Sequence, residues 1–256
     1  MRVIPVPCLK DNYAYLVLDA EDRAVVVDPS EAPPVEAALA RAGVRLSGIW
    51  LTHHHYDHVG GIEALCAAHP GLAVLGSAYD LEHGRIPRQT RGLREGDELA
   101  WDGQPVRLLE IPGHTLGAIA YVVAGSLFSG DTLFLAGCGR VFEGSMAMMQ
   151  TSLAKLRALP AATRLYCGHE YTLANLRFAA AVEPDQVAIA ERARAIAAVR
   201  ERGEPSVPGV LGDELLTNPF LRWETPAVIA AARARGAEDA SPASVFGALR
   251  AAKDRF

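Results

Sequence analysis

The sequence predicts a mixed α/β domain over residues 1–170 and a smaller all-helical domain over 171–256. Three observations carry that prediction. Short apolar, β-branched runs separated by turns recur up to about residue 170, and several of them end in Gly followed by His or Asp. After residue 171 the composition shifts to alanine and arginine, and the β-branched runs vanish. At 256 residues the chain is long enough for one large core with an appendage.

Taken in order, Tyr13–Leu18 and Ala24–Val27 flank a polar turn and read as a hairpin. Pro34–Arg41 is a helix closed by Gly43, and Ile49–Leu51 is a strand leading into Thr52-His53-His54-His55-Tyr56-Asp57-His58-Val59-Gly60-Gly61. The basic segment Gly84–Gly92 reads as a solvated loop. Val106–Ile111, Ala118–Val123, Ser126–Ser129 and Arg164–Cys167 are strands, and Ser145 caps a helix running to Leu159. Beyond them, Leu173–Val182 and Val187–Glu201 are helical by pattern. Thr225-Pro226 and Ser241-Pro242 each place a capping residue before a proline, so two more helices start there. Residues 204–218, with Pro205, Pro208, Gly209 and Gly212, read as irregular.

Composition narrows the function. Half of the residues are apolar, about a fifth are charged and the net charge is −5, so neither nucleic acid nor an anionic membrane is an expected partner. Four cysteines at 8, 66, 138 and 167 include no CxxC pair, which argues against a zinc knuckle or a disulfide framework. Prolines stand where a signal peptide would need its apolar segment, and no run reaches the length of a membrane span. A cytoplasmic monomer is expected.

Five metal-capable side chains fall within residues 53–58. Imidazole and carboxylate at that density suit zinc, iron or manganese. His114, Asp131 and His169 each follow an apolar strand through a glycine, and strands that end alike deliver such residues to one sheet edge. In an extended backbone His53, His55 and Asp57 share one side and His54 faces away, and His58 serves a different centre unless the loop turns sharply. The spacing therefore favours two ions: His53, His55 and His114 at one, Asp57, His58 and His169 at the other, with Asp131 bridging. His54 is expected to support the site rather than to ligate, and His69 and His83 to be surface residues.

THHHYDHVGG with the later glycine-preceded His, Asp and His resembles the binuclear site of the metallo-β-lactamase-fold hydrolases. VPCLKDNYAYLV, GCGRVFEG, GHEYTLANLRFAAAVEP, NPFLR and the C-terminal RAAKDRF are similar, within that superfamily, to glyoxalase II, the hydroxyacylglutathione hydrolases. The resemblance covers nearly the whole chain. It implies an αββα sandwich followed by the helical domain. It also implies two divalent ions, zinc above iron or manganese, and hydrolysis of S-(2-hydroxyacyl)glutathione, such as S-lactoylglutathione, by a hydroxide the ions share. Asp57 and Asp131 would be the catalytic carboxylates. Arg250 and Lys253 would bind the glutathione carboxylates, with Tyr171 and Arg140 nearer the tripeptide backbone. Phe142 departs from members that carry tyrosine there, which removes a phenol contact. Arg250 and Lys253 are three apart on a predicted helix and so share a face, opposite Val245, Phe246 and Leu249. The competing readings are a lactonase, phosphodiesterase or persulfide dioxygenase of the same fold, and a non-catalytic metal- or glutathione-binding module.

Overall fold

The computed structural model describes every residue from Met1 to Phe256. By backbone contacts the chain forms two compact units. Unit 1 takes Met1–Glu110, Thr115–Gly130 and Gly168–Glu170; unit 2 takes Ile111–His114, Asp131–Cys167 and Tyr171–Phe256.

Unit 1 contains β1 (Arg2–Cys8), β2 (Asn12–Leu18), β3 (Arg23–Val27), α1 (Ala32–Ala42), β4 (Arg45–Trp50), α2 (Tyr56–Val59) and α3 (Ile62–Ala68). It continues with β5 (Ala73–Ser77), α4 (Ala78–Glu82), β6 (Arg91–Leu93), β7 (Ala100–Trp101), β8 (Gln104–Glu110), β9 (Ile119–Val123) and β10 (Ser126–Gly130). Strands β1 to β6 form one sheet in chain order. The pairs β1–β2 and β2–β3 are antiparallel, and the next three are parallel. The switch follows from the connections. The β2–β3 turn is short, and Asp19 Oδ1 closes it by accepting from Glu21 N (2.8 Å) and Arg23 N (2.9 Å). A parallel neighbour needs a crossover, which α1 supplies between β3 and β4. That helix begins on prolines and ends at Gly43, whose φ of 69° is the left-handed cap a glycine adopts freely.

Every residue of β2 is buried, as expected for a strand covered on both faces. On one side Leu16, Val26, Ile49 and Leu51 pack with Val35, Leu39, Ile62 and Leu65. On the other the packing is aromatic. Trp50 stacks on Tyr121 of β9 at 5.1 Å, and Tyr15 meets Phe128 of β10 at 5.6 Å. These contacts join the first sheet to the antiparallel β7–β8–β9–β10 run. The strand β1 is absent from the sequence reading, because Pro5 and Pro7 argue against a strand. It sits at the sheet edge, where prolines are tolerated.

Unit 2 contains β11 (Leu133–Phe134), β12 (Gly137–Cys138), α5 (Met146–Arg157), β13 (Arg164–Cys167), α6 (Thr172–Val182), α7 (Val187–Glu201), β14 (Gly209–Val210), α8 (Leu211–Thr217), α9 (Pro226–Arg233) and α10 (Pro242–Lys253). Ser145 and Ser241 cap α5 and α10, their side chains accepting from Met148 N and Ser244 N. Leu176, Ala179 and Ile189 join α6 to α7. Phe178, Phe220 and Phe246 form a ring cluster with centroids 5.7 and 5.8 Å apart, and α10 buries Val245, Phe246 and Leu249. The stretch 204–218 is less irregular than its composition suggests, since it holds β14 and α8. Glu214 anchors α8 from a fully buried position, accepting from Ala136 N (2.6 Å), Asn218 Nδ2 (3.0 Å) and the guanidinium of Arg192.

Candidate metal centre

In unit 1 the end of β4 passes Thr52 to Asp28, which terminates β3. Asp28 Oδ1 accepts from Thr52 N (2.8 Å) and Oδ2 from Thr52 Oγ1 (2.6 Å). The loop that follows is extended only as far as His55, which enters the short helix α2 with φ −60° and ψ 143°. Asp57 and His58 thus sit on a helical turn. The expectation of an extended backbone through Asp57 is corrected, because the sharp turn begins at Tyr56. The helix gathers Asp57 and His58 with His169, their donor atoms all within 4.8 Å of one another.

Each imidazole here has a fixed orientation. His58 Nδ1 lies 3.1 Å from Asp28 Oδ2, and His169 Nδ1 lies 2.9 Å from Asp11 Oδ1. His53 Nδ1 lies 3.1 Å from Thr52 Oγ1. Partners on Nδ1 leave Nε2 as the nitrogen each ring could offer to a metal. Asp28 could itself be counted with His53 and His58 as a ligand group. Its oxygens are already engaged by Thr52 and the His58 ring, so it acts as a ring partner. His53 Nε2 and His55 Nδ1 are 3.2 Å apart, two ring nitrogens facing one space. His54 turns elsewhere, its Nδ1 3.4 Å from the buried carboxylate of Asp80. His69 pairs with Glu36 at 2.8 Å, and His83 bonds the Tyr79 carbonyl.

In unit 2, His114 and Asp131 are both buried, with Nε2 and Oδ2 3.5 Å apart. His114 Nδ1 lies 2.8 Å from the Arg140 carbonyl, so this ring too points its Nε2 away from its anchor. The backbone after Asp131 passes so close that a Cβ on Gly139 would come within 1.8 Å of the Asp131 carbonyl. Only glycine fits there.

His114 and Asp131 belong to the wall of a cleft of about 510 Å³ whose other lining residues include Arg140, Tyr171, Arg250 and Lys253. The helical face bearing Arg250 is far from solvated: the side chain is buried, with Nη1 donating to the Cys138 carbonyl (2.7 Å) and Nη2 to Asp254 (3.1 Å). Its guanidinium lies over the Phe220 ring, and its Nε has no hydrogen-bond partner. Lys253 Nζ donates to the Ala174 carbonyl (3.2 Å) between the rings of Phe178 and Phe256. Burial, with Arg250 and Arg177 nearby, lowers its pKa to about 8. Arg140 is mostly exposed, Tyr171 stands edge-on to Phe134, and Phe142 lies edge-on to His114 at 5.2 Å. Burial raises the Cys138 thiol to about 11.

Three residues of this centre escape a sequence reading: Asp11, Asn12 and Asp28. Asn12 donates through Nδ2 to both the carbonyl and the Oδ2 of Asp57, each at 3.0 Å. The available signal is that Asp28 closes an apolar strand in the same way as Asp131. The donor chemistry fits a divalent cation, since imidazoles whose outer nitrogens are already held gather with a carboxylate.

Comparison with known proteins agrees. Residues 10–169 match the metallo-β-lactamase superfamily, and residues 170–256 match the hydroxyacylglutathione hydrolase C-terminus. The hydroxyacylglutathione hydrolase of Alkalilimnicola ehrlichii is 53% identical over 99% of both chains. Among solved structures, ETHE1 from Myxococcus xanthus aligns with a TM-score of 0.66 over 99% of this chain and 98% of its own, at 22% identity, which shows a shared fold. TTHA1623, solved in a di-iron-bound form, aligns at 0.60 with 28% identity over 86% of this chain and all of its own. The chain has a metallo-β-lactamase fold with His/Asp groups suited to divalent metal and a helical C-terminal part, and it belongs to the hydroxyacylglutathione hydrolase family.

Proposed function

We infer that the chain hydrolyses S-(2-hydroxyacyl)glutathione thioesters, releasing glutathione and a 2-hydroxy acid, with S-lactoylglutathione as a substrate. The supporting observation is the cleft of unit 2, where metal-type donors, His114 and Asp131, share one wall with the cations Arg140, Arg250 and Lys253. A glutathione thioester needs both, a polarising centre at its carbonyl and positive charge for its carboxylates.

We assign His53, His55 and His114 to one ion, Asp57, His58 and His169 to a second, and Asp131 to both, with zinc ahead of iron or manganese. Divalent ions held there would supply Lewis acidity and lower the pKa of a coordinated water towards neutrality, to about 7 for zinc. Asp57, whose Oδ2 accepts from Asn12, would orient that water. Arg250 and Lys253 hold the substrate carboxylates, with Arg140 and Tyr171 along the peptide. The departing thiolate, with a pKa of about 8.5 in the free thiol, leaves without a general acid. No side-chain nucleophile takes part: Cys138 lines the cleft, but a thiol raised to about 11 is protonated at neutral pH.

In this reading residues 1–170 carry the chemistry and, through Arg140, part of the recognition of glutathione, and 171–256 carry the rest of that recognition. No helix is long and apolar enough to cross a membrane. A monomer in the cytoplasm that binds neither nucleic acid nor membrane completes the proposal. The test is thiol release from S-lactoylglutathione by protein of measured metal content, alongside mass by light scattering. Thiol release that tracks metal content is expected; a fully loaded protein that releases none from any glutathione thioester overturns the reading.

A further inference from the structure

We propose that Asn12 is a positioning residue for this reaction, fixing which face of the Asp57 carboxylate is offered to the ion and to the attacking water. The proposal rests on the reading of Asp57 as a ligand. Its geometry lies wholly within unit 1.

Asn12 stands at the start of β2 and is 5% exposed. Its amide nitrogen meets two acceptors of the same residue, the carbonyl and the Oδ2 of Asp57, both at 3.0 Å. The first bond fixes the amide against the backbone of α2. The second therefore holds Oδ2 at a set point in space. The terminal torsion of an aspartate is otherwise broad and two-fold, so a carboxylate without such a donor exchanges its oxygens freely. The held Oδ2 lies 3.3 Å from His169 Nε2 and 3.8 Å from His58 Nε2.

The donor is itself immobilised by its neighbours. Asn12 and His169 form a β-bridge, Tyr13 N donates to the Gly168 carbonyl (2.8 Å), and Glu170 N donates to the Asp11 carbonyl (2.8 Å). Side chains repeat the connection: Asp11 Oδ1 holds His169 Nδ1, and Tyr13 OH donates to Glu170 Oε2 (2.8 Å). Consecutive residues of one segment thus grip His169, Asp57 and Glu170.

The residue type matters as much as its place. A lysine or arginine would neutralise Asp57 and compete with a cation for it. An aspartate would set a second carboxylate about 3 Å from the first, where one of the two favours protonation. An asparagine donates without charge and does not titrate, so it directs the carboxylate while leaving its charge to the metal.

The test compares Asn12→Asp and Asn12→Ala with the wild-type holoenzyme. Three quantities are measured: kcat and KM for thiol release from S-lactoylglutathione, metal retained against a chelator, and the visible spectrum of the cobalt(II)-substituted protein. Loss of the amide donor is expected to lower kcat about 10–100-fold with KM unchanged. It is also expected to release one of the bound metals at a lower chelator concentration and to shift the cobalt spectrum. The size-matched Asn12→Asp keeps the fold if Asn12→Ala does not. Wild-type kcat, metal retention and spectrum in folded Asn12→Asp would overturn the proposal, as would a change confined to melting temperature. If the wild type releases no thiol, the proposed function fails, while retention and spectrum still decide the role of Asn12.

Discussion

Asp28 and His58 form a buried carboxylate–imidazole pair, Oδ2 to Nδ1 at 3.1 Å, with side chains 3% and 1% exposed. The same carboxylate ties β3 to the start of the histidine loop through Thr52. Asp28→Asn keeps shape and tolerates the φ of 49° at this position, since asparagine enters the left-handed region readily. It exchanges one accepting oxygen for an amide donor. Metal affinity is expected to fall about 10–100-fold with the fold retained, read as metal lost in a chelator titration alongside an unchanged circular dichroism spectrum.

Asp131 carries a second prediction. Its carboxylate lies 3.5 Å from His114 Nε2 in a buried setting. Asp131→Ala should lose metal and turnover together. Elemental analysis beside thiol-release kinetics checks it, and full metal content with normal turnover would overturn the bridging role proposed for Asp131.

The hairpin over residues 13–27, the Ser145 cap and the proline-led helices of the C-terminal part were legible because each is local. So was the identity of the histidines, dense in one loop or marked by a preceding glycine. Their anchors were not. Asn12 reaches Asp57 across 45 positions and Asp11 reaches His169 across 158, and no periodicity records such a pairing. The edge strand β1 was hidden by its prolines, and α8 by the glycines and proline around it. Arg250 looked like one residue of a charged helical face. Only tertiary packing against Phe220 and Cys138 makes it a buried guanidinium.

Gly130 predicts a stability effect at the strand end that precedes Asp131. Its φ is +49°, and an added Cβ would stand 2.2 Å from Thr52 Oγ1. The left-handed conformation alone costs a non-glycine residue about 1–2 kcal/mol, and moving Thr52 would break its bond to Asp28. Gly130→Ala is therefore expected to lose about 2 kcal/mol or more. Denaturant unfolding of the metal-free protein measures it without interference from ligand binding.

Replacing Arg250 and Lys253 together by alanine should raise KM for S-lactoylglutathione and leave metal content unchanged. A charge-assisted hydrogen bond is worth about 1.5–3 kcal/mol, so the expected rise is tenfold or more. Because Arg250 also bonds Cys138 and Asp254, melting temperature is followed in parallel. An unchanged KM in a folded double variant would show that glutathione is recognised elsewhere.

The proposed substrate contact of Lys253 predicts a pH dependence of recognition. Burial and the nearby Arg250 and Arg177 bring its pKa from 10.5 down to about 8. The lowered value means that the ammonium is intact below pH 7 and is lost as pH rises through 8. If this charge holds a substrate carboxylate, KM is lowest near neutrality and climbs between pH 7 and 9. Stability moves the other way: between pH 8 and 10.5 the unfolded chain binds the proton that folded Lys253 has released, so this group favours folding more as pH rises. The Cys138 thiol beside it, raised to about 11, stays protonated over pH 7–9. Lys253→Arg is the control, because a guanidinium stays charged throughout. A KM profile that rises across pH 7–9 in the wild type and flattens in Lys253→Arg assigns the effect to this side chain. The same rise in both proteins would place the titrating group elsewhere.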